Sequence, residues 1–191
     1  MRKNGFYPRG AVILLFVVLL ALAGYLLGES QKGQPVPAAS RFSGADSGYS
    51  NVLVLRVVDG DTLKLEDGNY VRLLGIDTPE LHESAKLYRD SSRSGKSVEE
   101  IKREGKRSYE FTRALAEGRR VRLEFDTERR DKYNRILAYV FLQDGTFLNG
   151  RIVEEGYASI THYKMNTKYA DEFLRLYRQA RENRRGLWMD N

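Results

Sequence analysis

The chain has 191 residues, enough for one ordinary domain plus an appendage, and a net charge of +6 from 32 basic and 26 acidic side chains. Half of that excess lies in residues 1–50, where Arg2, Lys3, Arg9, Lys32 and Arg41 face only Glu29 and Asp46. There is no cysteine, which excludes disulfides, thiolate chemistry, Cys-ligated zinc and a lipoprotein anchor, and two histidines are too few for a His-rich metal site.

The first segment is basic and then apolar. Arg2, Lys3 and Arg9 precede an uncharged run over residues 10–28, long enough for a membrane span or a signal peptide. Ala21-Leu22-Ala23 offers a cleavage pattern, but apolar residues continue past it, which favours a retained anchor over a cleaved signal. In either case the positive-inside rule puts the remainder outside the cytoplasm, single-pass on the cell membrane or secreted. Residues 29–50, rich in Gly, Ser, Pro, Ala and Gln, read as a flexible tether.

Residues 51–191 carry the folded domain. Asp59-Gly60 and Asp67-Gly68 are hairpin turn signals between alternating apolar runs, so three antiparallel strands are predicted near 51–58, 61–66 and 69–74. Arg72 then stands near an apolar surface, where a guanidinium needs an anion to offset its desolvation. Asp61 opens one strand, and Asp77 and Glu80 follow the end of another, so three carboxylates can converge on it. Such a cluster suits a hard divalent cation and a phosphate held together. Asp67 reads as a turn residue only, whereas Asp59 reads equally as turn or as cluster.

Residues 81–97 are polar and serine-rich and are expected to form a plain solvated loop, with a mobile basic loop beside the acids as the alternative. From Val98 to about Glu117 the apolar and small residues Ile101, Gly105, Ser108, Thr112 and Leu115 recur at helical spacing. Residues 120–125 alternate strictly as a half-buried strand, 126–135 form a charged loop, and 136–142 form an apolar strand closed at Asp144-Gly145. A short helix is expected over 148–155 and a final one after Asn166 or Thr167, with an arginine face from Arg175 to Arg185. Five strands with a helix between the third and fourth suit a small Greek-key barrel of the OB type.

Three separated motifs then stand in order: Asp59-Gly60-Asp61-Thr62; Arg72 to Glu80, RLLGIDTPE; and Asp131-Lys132-Tyr133-Asn134-Arg135 with Ala138-Tyr139. Together they resemble the staphylococcal nuclease (thermonuclease) family over roughly residues 51–188. The resemblance implies an α+β fold, a five-stranded OB barrel with three helices, here preceded by the apolar anchor. It implies hydrolysis of phosphodiester bonds in single- or double-stranded DNA and RNA to 3′-phosphate and 5′-hydroxyl ends, by a monomer with no protein partner. Calcium is the family's ion, one per site, bound by Asp61, Asp77 and the Thr78 carbonyl, with Asp59 behind or through water; magnesium and manganese also take oxygen ligands. By the same resemblance Arg72 and Arg135 clamp the phosphate and Glu80 handles the attacking water, while Lys132, Tyr133 and Tyr163 contact substrate. Without it, Arg135 reads as one member of a solvated ion-pair network. Asn134 replaces a glycine common in the family and can imitate it through left-handed backbone. The competing expectation is a barrel that binds nucleic acid at the cell envelope without cutting it.

Overall fold

A computed structural model describes residues 49–161 and 168–189. The expected anchor at 10–28, nearly all of the tether and Tyr163 lie outside them, and among the described residues no helix is long and apolar enough to cross a membrane.

The sequence alternation becomes a closed barrel. Strands β1 (Val52–Asp59), β2 (Thr62–Leu65), β3 (Tyr70–Leu73), β5 (Arg120–Glu124) and β6 (Ile136–Leu142) close in the order β1-β2-β3-β6-β5, with β5 returning to β1. All pairings are antiparallel except β3 with β6, where Arg72 lies opposite Leu137. Two register shifts in β1, at Val54/Arg56 and Val57/Asp59, bend the strand so that it can pair with β2 along one part and β5 at its start. Val54, Leu63, Leu65, Val71, Leu73 and Val140, all fully buried, are among the side chains of the core.

Two further strands of two residues each, β4 (Ile76–Asp77) and β7 (Ser159–Ile160), pair outside the barrel. Segments this short carry no readable alternation. Helix α2 (Val98–Ala116) matches its expected span; it buries Ile101, Gly105, Ser108, Thr112 and Ala116, with Leu115 only partly buried. Helix α3 (Leu148–Glu154) and helix α4 (Ala170–Glu182) complete the C-terminal half, and a 3₁₀ turn (Gly186–Trp188) tucks Leu187 inward while the Trp188 ring meets Tyr177 edge-on.

Three expectations are corrected. Residues 81–97 are not an open loop: they contain helix α1 (Ala85–Ser94), so the described residues hold four α-helices rather than three. Ser84 caps α1 by accepting the Leu87 N–H at 3.0 Å, and Gly95 closes it with a left-handed φ of 73°. The N-cap of α4 is Tyr169, which makes no side-chain cap bond, rather than Asn166 or Thr167. Gly60 also differs from expectation. Gly68 has the positive φ of a turn glycine, but Gly60 is required by close approach: a β-carbon there would lie 2.8 Å from the Thr78 hydroxyl and 2.9 Å from the Ser108 β-carbon.

Candidate active site

The site forms where β2 begins and β3 and β4 end. Arg72 points from β3 into a fork of carboxylates: Nη1 is 2.8 Å from Asp61 Oδ2 and Nη2 is 2.9 Å from Asp77 Oδ1. The Arg72 and Asp61 side chains are 9% and 10% exposed, so the pair is buried and the anion that the sequence demanded is supplied by the protein itself. The Thr78 N–H and hydroxyl also donate to Asp61 Oδ2, at 3.1 and 3.2 Å, which fixes the loop after β4 against the mouth of β2.

Helix α2 holds this loop from behind with small residues. Thr112 donates to the Gly60 carbonyl at 2.7 Å, and Ser108 donates to the Tyr157 carbonyl at 2.7 Å. Gly105 lies so close to the loop that a β-carbon would fall 2.5 Å from the Glu80 carbonyl oxygen. Small residues at these positions let the helix reach the backbone of both acidic turns.

Asp59 belongs to the cluster. Its carboxylate accepts the Gly60 N–H at 2.8 Å, and its pKa is pushed up to about 7, first by burial, then by the nearby Asp61 charge and further by Glu80. Burial likewise raises Asp77, against the pull of Lys86 and Arg72. For an acid raised on folding, the folded chain holds a proton that the unfolded chain releases, so stability falls as pH rises from about 4 toward about 7. In chelator, the melting temperature of the wild type is therefore expected to drop as pH rises from about 4 to about 7, and Asp59→Asn should flatten that slope. An equal slope in the variant would show that Asp59 is not its source.

The sequence reading missed Lys86. Its ammonium, on the first turn of α1, lies 2.9 Å from Glu80 Oε1, 3.2 Å from Asp77 Oδ2 and 3.3 Å from Asp90 Oδ2, and donates to the Thr78 carbonyl at 3.2 Å. Burial pulls the amine pKa down, but Asp77, Glu80 and Asp90 outweigh it and hold the group above its usual value. Ser84 donates to the other Glu80 oxygen, Oε2, at 2.9 Å. Both oxygens of Glu80 are thus oriented by residues at the start of α1. The available signals were Ser84 three residues before Leu87 and the Lys86-Asp90 spacing of four, which together mark a capped helix with an intrahelical ion pair.

The third motif lies in the loop before β6. Arg135 is gripped by Asp131, with Nε and Nη2 each 2.7 Å from Oδ2, and Asn134 adopts the expected left-handed φ of 63°. The Tyr133 ring is 68% exposed, with Lys132 and the Arg135 guanidinium over it at 5.0 and 5.6 Å. The pairing of β3 with β6 brings this loop to the start of the strand that carries Arg72.

Among the described residues no three acidic, histidine or cysteine side chains make a ready cage for a metal ion. The donor set nevertheless fits a hard cation. Asp77 Oδ2, the Thr78 carbonyl and Glu80 Oε1 are all oxygens, and they already converge on a positive charge, the Lys86 ammonium.

This geometry coincides with a family match. Residues 70–190 match the family model described as staphylococcal nuclease homologue, well over half of the chain. The chain belongs to this family. A thermonuclease of Staphylococcus intermedius is 32% identical over 182 residues, covering 94% of this chain and 95% of the relative. An uncharacterized protein of Methanocaldococcus jannaschii is 37% identical over 146 residues, covering 71% and 70%. The endonuclease YncB of Bacillus subtilis is 33% identical over 143 residues, covering 72% of this chain and 61% of the relative. Membership of the staphylococcal nuclease family accounts for the closed barrel; Lys86 and α1 lie in the stretch that the sequence alone reads as a loop.

Proposed function

We propose that this chain is a nuclease, hydrolysing phosphodiester bonds of DNA and RNA with calcium to leave 3′-phosphate and 5′-hydroxyl ends. The observation that carries the reading is the Arg72 fork between Asp61 and Asp77, with Glu80 oriented beside it at the mouth of the barrel.

Asp61, Asp77 and the Thr78 carbonyl would hold the ion, with Asp59 behind them, and a bound calcium would neutralise a phosphate oxygen and polarise the phosphorus. Arg72 is anchored by two carboxylates, so its guanidinium is preorganised and needs little rearrangement to meet charge as it accumulates on the phosphate. Arg135, its side chain 31% exposed beside Asp131, approaches the phosphate from the other side. Glu80 orients the attacking water and takes its proton; the water oxygen bonds to phosphorus as the bond to the 5′ oxygen breaks, and that oxygen takes a proton from solvent to leave as the 5′-hydroxyl. The exposed Tyr133 ring and Lys132 hold the adjoining nucleotide, and Tyr163 has the same stacking role by its place in the sequence. On this reading the apolar segment at 10–28 carries the domain outside the cytoplasm, either as a retained anchor or as a cleaved signal.

The test is cleavage of single-stranded DNA by the purified full-length protein in calcium, in magnesium and in chelator, beside Glu80→Gln. Calcium-dependent cleavage is expected, reduced roughly tenfold or more in the variant. A folded protein that binds DNA and cuts it under none of these conditions would leave a binding barrel in place of the enzyme.

A further inference from the structure

Lys86 touches two of the oxygens that the proposed divalent cation would need, on Asp77 and Thr78, and a third on Glu80 beside them. Its ammonium contacts Asp77 Oδ2, the Thr78 carbonyl and Glu80 Oε1 within 3.2 Å of each. These three oxygens come from the four residues from Asp77, at the end of β4, to Glu80 and face a common point, and a single positive charge is already there.

The surroundings of Lys86 permit withdrawal. Asp90, one turn further along α1, is already 3.3 Å from the ammonium, so the side chain has a second carboxylate partner on its own helix. A cavity of about 390 Å³ opens beside it, lined by Asp77, Thr78, Asp90 and Ser94 as well as Lys86. The lysine stem is long and flexible enough to swing along this cavity while its charge stays paired with Asp90.

We propose that Lys86 is a tethered cation that competes with the divalent ion for the oxygens of Asp77 and Thr78, beside Glu80, so that metal binding is an exchange in which the ammonium retreats to Asp90. The acids of the mouth then face a positive charge in both states. Without metal, Lys86 keeps the acids of the mouth from repelling one another and holds Glu80 in place. With metal, the displaced charge remains in the cavity next to the site. Lys86 therefore sets the concentration of cation at which the site loads. This inference rests on the metal-dependent reading above.

The experiment is calcium titration of the full chain by calorimetry, comparing wild type with Lys86→Met and Lys86→Arg. Lys86→Met removes the charge and keeps the stem, and it is expected to bind calcium about tenfold more tightly or better, within the usual range for coupled ligands. Lys86→Arg, which keeps a competing cation, is expected to stay near wild type. In chelator Lys86→Met should melt lower than wild type, and saturating calcium should close the gap. A second readout covers a variant that fails to fold: acylation of the Lys86 amine in the wild type, mapped by mass spectrometry, is expected to be slow in chelator and faster in calcium. Equal calcium affinity in wild type and Lys86→Met, or amine protection that calcium leaves unchanged, would overturn the exchange. Calcium binding by the wild type with no difference in Lys86→Met would leave the metal-dependent reading standing, whereas binding by neither protein would overturn both.

Discussion

Arg72→Met is expected to lower the cleavage rate by about 10² to 10³, the usual loss when a preorganised donor to a developing anion is removed. The same substitution should destabilise the fold by about 3 kcal/mol, because it strands a buried carboxylate. The stability loss sits at the lower end of that class for a structural reason. Asp61 retains the Thr78 N–H and hydroxyl as donors, and Asp77 retains Lys86. The two effects separate in the double variant Arg72→Met/Asp61→Asn, which removes the stranded charge. It should recover most of the stability in urea denaturation and none of the cleavage. Near wild-type turnover in Arg72→Met would remove Arg72 from the proposed chemistry.

Asn149→Leu should show the opposite profile, a large stability loss with little change in cleavage by the molecules that remain folded. Asn149 is fully buried at the start of α3 and stitches two strand ends together. Its Oδ1 accepts the Val140 N–H at 2.9 Å, and its Nδ2 donates to the carbonyls of Leu74 at 2.9 Å and Ala138 at 3.3 Å. Leucine fills a similar volume but leaves the Val140 donor and the Leu74 acceptor without this partner. At about 1 to 3 kcal/mol for each group left unsatisfied, the expected cost is about 3 kcal/mol. It should appear as a lower urea midpoint with an unchanged slope. A loss under 1 kcal/mol would mean that water replaces the amide.

The barrel and the acid cluster were legible in the sequence because both are written in short-range chemistry. Asp-Gly turns and period-two alternation predict β1 to β3, and a guanidinium near apolar strands demands the acids found at Asp61 and Asp77. The left-handed backbone at Asn134 followed from the resemblance, which puts a glycine there, together with the tolerance of asparagine for that conformation. Helix α1 was illegible by the same criteria. It buries a single side chain, Leu87, and its serines and charges carry the composition of a loop. What holds it is a cap and a set of ion pairs to residues outside it, and periodicity does not report such contacts. Lys86 was missed with the helix, since its position is set by packing α1 beside Glu80. The close approach that requires Gly60 was hidden in the same way: an Asp-Gly pair looks like a turn, while the atoms that exclude a side chain belong to Thr78 and Ser108, distant in sequence.

The parallel pairing of β3 with β6 gives the chain an order of events. Val71, Arg72 and Leu73 find their strand partners at Ile136, Leu137 and Ala138, residues synthesised after the whole of α1, α2 and β5. Until those residues are available, the outer edge of the strand that carries Arg72 has no partner and the barrel cannot close. A nascent or truncated chain that stops before residue 136 therefore contains every acid of the cluster without the frame that aligns them. The acid cluster is therefore aligned late, after most of the chain has been made.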